Sequence, residues 1–322
     1  MSNIKFSRII SLLCAFFLPL HILAQTAKLS PIGEIPFTLD NDNRIYVTAF
    51  VNGSDSLRFV VDTGASTIAL NTRSPKLSGL IHEQETADNI GTTSTSQITI
   101  SHDNRIKVGT VEYSRATCAN ISFGPADGWD GVLGLNALRA FNVEFNYDDR
   151  IIYVYPKKEP LAVDSSYVML PFDYRHDVPF VVLPIKIQGT EYRLSLEVDT
   201  GSDRVIDLTT QFTTRHNLLA TSKPFATSHI TSSDGGSAEL KNVFFDEVTI
   251  GKYILPNVAG ALSTTDGMTS TIGGMDTMSD VDGIIGNNFL KRFNMLIDFK
   301  RNIIYLKPNE LLYTPFYGFL GK

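Results

Sequence analysis

Cysteine is almost missing from this chain, with two in 322 residues, Cys14 and Cys118. Histidine is also sparse: six residues, scattered, with no His-Glu-x-x-His string, which argues against a zinc hydrolase. There is no Gly-x-Ser-x-Gly elbow for a serine hydrolase. No Walker loop or Gly-x-Gly-x-x-Gly opens a helix, so nucleotide binding has no support. The net charge of −6 is mild and spread along the chain, and no basic cluster suggests nucleic acid. Asp234 and Asp276 stand among glycines, but nothing has the spacing of a calcium loop. No metal and no cofactor are expected.

What is present begins with a short apolar run. Lys5 and Arg8 precede Ile9 to Leu23, and Ala24 follows as a small residue. This is the layout of a signal peptide over residues 1–24, which predicts export to the periplasm or the medium. A membrane anchor is the competing reading, but the run is short for a span and is broken by Pro19 and His21. Cleavage would remove Cys14 and leave Cys118 as a lone thiol unable to close a disulfide within the chain. Cys118 lies in an apparent strand, "SRATCANISF", and reads as a small core residue rather than a nucleophile. With 43% hydrophobic residues the mature chain has material for a core.

The chain also repeats itself. "FVVDTGAST" (59–67) drives an apolar strand into Asp62, and "LEVDTGSD" (196–203) does the same at Asp199. The segments "DGVLGLNALRAFNVEFNYDDRIIYVYP" (130–156) and "DGIIGNNFLKRFNMLIDFKRNIIYLKP" (282–308) align without a gap. A duplicated domain follows. Residues 44–52, 96–101, 105–113, 181–188, 240–250 and 252–258 read as strands, and "NALRAF" and "NNFLKRF" as one short helix per half. The expected division is an N-terminal lobe over 25–156, a proline-bearing connector over 157–178 and a C-terminal lobe over 179–322. The polar stretch 263–281 reads as a loop found in the second half alone. Asp130 and Asp282, ahead of glycines in the repeat, read as turn or structural residues.

Equivalent residues meet if the halves pack about a pseudo-two-fold axis. Two carboxylates at hydrogen-bonding distance cannot both ionise cheaply, so one keeps a proton. The pair is then an acid and a base made from identical side chains, suited to activating a water against a carbonyl. Gly64 and Gly201 allow close backbone approach, and Thr63 and Thr200 can bond across the axis.

On these residues both halves resemble the pepsin/retropepsin aspartic protease family, especially its bacterial exported retropepsin-like group, over about residues 44–308. The carrying motifs are "VVDTGAS" and "EVDTGSD", each with its apolar-apolar-Gly element, "VLG" (132–134) and "IIG" (284–286). The resemblance implies a mainly β, bilobal fold of two duplicated β-barrel lobes with short helices. It implies Asp62 and Asp199 as catalytic acids, and Thr63, Gly64, Thr200, Gly201 and Ser202 as their support. A monomeric aspartic endopeptidase acting on peptide or protein substrates would follow; a non-catalytic peptide- or ligand-binding member of the fold is the alternative. Flap hairpins would fall near Gly91 and Thr92 and near Asp234, Gly235 and Gly236, with no aromatic residue in either.

Two asymmetries carry further expectations. Glu197 stands where the first half has Val60, and reads as a solvent-facing strand residue, with a third carboxylate tuning the dyad as the other reading. Ser202 stands opposite Ala65; a hydroxyl bonded to Asp199 would make Asp199 the ionised member and Asp62 the protonated one. The aromatic C-terminal stretch "NELLYTPFYGFLGK" is left as either a strap across the lobes or a contact surface.

Overall fold

The structure, a computed structural model, describes residues 30–90, 95–123, 128–161, 163–175, 177–231, 237–264 and 281–317. The first half runs β1 (Gly33–Leu39), β2 (Ile45–Val51), β3 (Leu57–Val61), β4 (Ile68–Asn71), β5 (Glu85–Ile90), β6 (Thr95–Val108), β7 (Val111–Ile121), β8 (Gly131–Leu133), α1 (Leu135–Leu138), β9 (Asn142–Asn146) and β10 (Ile151–Tyr155). The second half repeats that order. It runs β11 (Val168–Arg175), β12 (Val178–Ile187), β13 (Thr190–Asp199), β14 (Ile206–Leu208), α2 (Thr210–Arg215), α3 (Leu218–Thr221), β15 (Ala226–Thr231), β16 (Ser237–Ile250), β17 (Tyr253–Ser263), β18 (Gly283–Gly286), α4 (Asn287–Leu290), β19 (Phe293–Asp298) and β20 (Ile303–Pro308).

The pairings repeat as well. β3 pairs in parallel with β8, and β13 with β18; β4 pairs in parallel with β7, and β14 with β17. The duplication inferred from two motifs therefore extends strand by strand through both lobes. Alternation drives it where one face meets solvent: in β1, Ile35 and Phe37 are buried between exposed Glu34, Pro36 and Thr38. β3 and β8 instead lie in the interior and are apolar almost throughout. A side chain at Gly131 would strike the Phe59 ring at 2.5 Å, so this crossing tolerates only glycine.

The lobes are joined by a six-stranded antiparallel sheet in the order β1–β10–β9–β19–β20–β11. Its central rung joins the two halves: Met295 pairs with Phe145 and Ile297 with Val143. Here one expectation needs correction, because the stretch read as a connector contains β11. Its Pro171 ends the part of β11 paired with β20, and Phe172 begins the part paired with β12. Pro36 occupies the same place in β1, between partners β10 and β2. A proline lacks the N–H that a strand interior needs, but is tolerated where a strand changes sheets.

Smaller differences follow from local chemistry. Each expected helix is a single turn, α1 and α4, while α2 and α3 belong to the second half alone. α2 starts at Thr209, whose hydroxyl accepts from the Phe212 N–H. Most of the stretch read as a loop, 265–280, and all of residues 1–29 lie outside the described residues. Cys118 is fully buried in β7, and burial pushes its thiol up to about 12, consistent with a core residue. The tail packs on its own lobe rather than across the axis: the buried Arg292 guanidinium donates to Leu311 O (2.5 Å) and Thr314 Oγ1 (2.7 Å) and lies over the Phe316 ring. Among the described residues no helix is long and apolar enough to cross a membrane.

Candidate active site

Asp62 follows β3 and Asp199 ends β13, so each carboxyl sits where an interior strand breaks into a turn. The turns are held from beneath by the apolar-apolar-Gly elements. Leu133 O accepts from the Asp62 N–H (3.1 Å), and Asp199 pairs with Gly286. The one-turn helices then clamp the far side of each turn. Leu135 and Asn136 donate their N–H groups to Ala65 O (2.8 Å) and Ser66 O (3.1 Å). Asn287 and Asn288 do the same to Ser202 O (2.8 Å) and Arg204 O (3.1 Å). Asp130 and Asp282 brace the layer below, accepting from the Arg58 N–H (2.8 Å) and the Ser195 N–H (2.9 Å), which fits their structural reading.

The two turns meet across the axis through their threonines, both fully buried. The Thr63 hydroxyl donates to Val198 O (2.6 Å) and accepts from the Thr200 N–H (3.0 Å). The Thr200 hydroxyl donates to Val61 O (2.8 Å) and accepts from the Thr63 N–H (3.1 Å). Four buried bonds thus fix one carboxyl-bearing loop against the other. The glycines permit the approach: a Cβ at Gly64 would fall 2.8 Å from Asp199 Cγ, and one at Gly201 would overlap the Asp62 carboxyl.

Each carboxyl is oriented by its own turn. Asp62 Oδ1 accepts from the N–H groups of Gly64 (2.7 Å) and Ala65 (3.2 Å). Asp199 Oδ1 accepts from those of Gly201 (2.8 Å) and Ser202 (3.0 Å). The two carboxyls face one another across the axis, each set against the glycine of the opposing turn. Burial first, then the charge of Asp62, holds Asp199 well above the usual carboxylate range, against the pull of its backbone donors.

The support expected from the Ser202 side chain takes another form. The Ser202 hydroxyl accepts from the Arg204 N–H (3.3 Å) instead, and the support that Ser202 gives Asp199 comes from its backbone, which Ala65 matches on the other side.

Glu197 is the second correction. It is 4% exposed rather than solvent-facing, and its Oε2 is buried without a hydrogen-bond partner. Burial, then the charges of Asp199 and Asp62, pushes its carboxyl well above the usual range.

Arg44 is a residue that sequence reasoning missed. From the edge of the first lobe its Nε donates to Gly201 O (2.7 Å), and its guanidinium pairs with Asp203 (3.5 Å) and Asp42 (3.3 Å). Alongside it, Asn287 Nδ2 donates to Asn43 O (2.6 Å) and Lys291 Nζ to Asn43 Oδ1 (2.5 Å). The segment just before β2 therefore pins the turn that carries Asp199. Arg44 lies outside the duplicated motifs, so the repeat offered no signal for it.

The flap candidates Gly91, Thr92, Asp234, Gly235 and Gly236 lie outside the described residues. The strands flanking them do pair: Ile90 with Thr95 and Thr231 with Ser237. Among the described residues no group of three or more His, Cys, Asp or Glu is placed to hold a metal ion.

Residues 47–140 match the family model described as gag-polyprotein putative aspartyl protease. The chain is also similar in fold to the crystal structure of aspartic proteinase from Irpex lacteus, at a TM-score of 0.56 and 14% identity. That likeness covers 88% of this chain and 98% of the other. No curated protein matches the sequence.

Proposed function

We propose that this chain, matched over residues 47–140 by the family model described as gag-polyprotein putative aspartyl protease, is an aspartic-type hydrolase that cleaves peptide bonds with Asp62 and Asp199 as its working pair. The observation that carries this reading is the close approach of the two carboxyls, each set against the other's turn glycine, on loops locked by the Thr63–Thr200 bonds. Asp62 as carboxylate takes a proton from a water, whose oxygen adds to the scissile carbonyl carbon. Asp199 gives its proton to the carbonyl oxygen. The resulting diol collapses as a proton reaches the amide nitrogen and the C–N bond breaks. Neither a covalent intermediate nor a metal enters these steps.

The peptide would lie extended in the cleft between the lobes, where strand-like backbone bonding and alternating side-chain pockets set preference. One chain supplies both acids, so a monomer suffices for a complete site. The charged-then-apolar layout of residues 1–24 supports export, to the periplasm or the medium.

The test is cleavage of a diverse peptide library by the mature protein from acid to neutral pH, alongside Asp62→Asn and Asp199→Asn. Cleavage by the parent that disappears in both variants is expected. Cleavage that persists in both refutes the pair, and a parent silent at every pH favours a binding protein.

A further inference from the structure

The first lobe shows what the position two residues before a catalytic acid requires for folding. Val60 fills it there, buried and apolar. In the second lobe the same position is Glu197, on the face of β13 that also carries Asp199. A Cβ at Gly64 would lie 2.8 Å from both Glu197 Oε1 and Asp199 Cγ, so the two carboxyls press against one point of the opposing loop. An acid has thus been set beside the pair at a place where the architecture needs none.

Its surroundings decide which form it takes. Directly across the sheet stand Phe180 on β12 and Ile284 on β18. The charged groups that act on it are Asp199, on its own strand, and Asp62, on the loop after β3, both of the same sign. The cation on the β12 side, Arg175, lies over the Phe180 ring at 5.1 Å. Oε2 has no donor. An ionised carboxylate in such a place is costly, whereas a neutral acid is tolerated.

We propose that Glu197 is a third, proton-bearing carboxyl of the active site, whose ionisation sets the upper pH limit of activity. The proposal rests on the Asp62/Asp199 reading. Glu197 acts as a positioning residue, through the pair rather than on substrate. While neutral, it leaves the pair with a single negative charge and lets Asp199 release its proton to a substrate carbonyl. When it loses its proton to solvent, a second negative charge lies beside the pair. Asp199 then holds its proton more tightly and becomes a poorer donor. The alkaline limb of the rate profile therefore belongs to three coupled carboxyls, not two.

The experiment compares Glu197→Gln with the parent in two readouts. In kcat/KM against pH, removing the third ionisation should move the alkaline limb upward by about half a unit or more. In the infrared difference spectrum of parent minus variant at neutral pH, a carboxylic-acid carbonyl band should remain, beyond the one that the Asp62/Asp199 pair contributes to both. A limb displaced by less than about 0.2 units would overturn the proposal. So would absence of the acid band, which is read without turnover and so stays decisive even if the chain cleaves no peptide and the proteolytic reading fails. If the glutamine variant does not fold, Glu197→Val, copying Val60, serves in both measurements with the same expected results.

Discussion

Replacing Thr63 with valine tests the joint between the lobes at its centre. Valine matches threonine in shape, so the cavity term is small and the change removes mainly a hydroxyl. Two bonds vanish, those to Val198 O (2.6 Å) and from the Thr200 N–H (3.0 Å), leaving a buried acceptor and a buried donor without partners. Each orphaned group costs about 1–3 kcal/mol, so a loss of about 2–6 kcal/mol is expected. For a protein of this size that lowers the midpoint of thermal unfolding by about 4–12 °C.

The same lesion frees one carboxyl-bearing loop, so kcat should fall more than the thermal change alone accounts for. Circular dichroism melts read the first effect and peptide-cleavage kinetics the second. Thr63→Ser keeps the hydroxyl and should recover most of both. A valine variant melting within about 1 °C of the parent would refute the view that these bonds hold the loops together.

Gly201→Ala should abolish cleavage while leaving a folded protein, because the new methyl overlaps the Asp62 carboxyl; normal rates would contradict the packing described. Arg44→Ala should lower kcat and cost about 1–2 kcal/mol in urea unfolding through the lost Gly201 and Asp203 partners, with Arg44→Lys an incomplete substitute. Asp199 and Glu197 have folded-state values raised above their unfolded ones, so the native state holds more protons than the unfolded chain once pH passes the ordinary carboxylate range. Their contribution to stability is therefore whole in acid and declines as pH rises from about 4 toward neutrality, with Glu197→Gln flattening that decline in urea titrations at a series of pH values. Cys118 should resist a thiol reagent at pH 8 in the native protein and react on unfolding, since burial holds its thiol up at about 12; rapid native labelling would show the lobe core to be more open than described.

The features legible in the sequence were those written locally and written twice. A strand running into Asp-Thr-Gly, and an Asp-Gly-apolar-apolar-Gly element ahead of a helical turn, are short-range patterns, and their repetition made a two-fold arrangement the economical reading. The misread features depend on direction. Alternation places Glu197 on the face of Asp199, but does not reveal that this face points into the joint. The Ser202 hydroxyl was within reach of Asp199 by residue count, yet it turns toward the Arg204 N–H. β11 was hidden by Pro171, because a proline at a sheet-switching point and one in a connector look alike in sequence. Arg44, with no echo in the second half, could be found only once the lobes were seen together.

The β1–β10–β9–β19–β20–β11 sheet has a consequence for the order of events in folding. Its strands come from both ends of each half, and β20, at Ile303–Pro308, bonds both β19 and β11. Joining segments so far apart in sequence carries a loop-closure penalty and delays the final assembly. Until β19 docks on β9, the two halves lack the central rung of this sheet. The bridge between the lobes is therefore expected to be among the last parts of the fold to form.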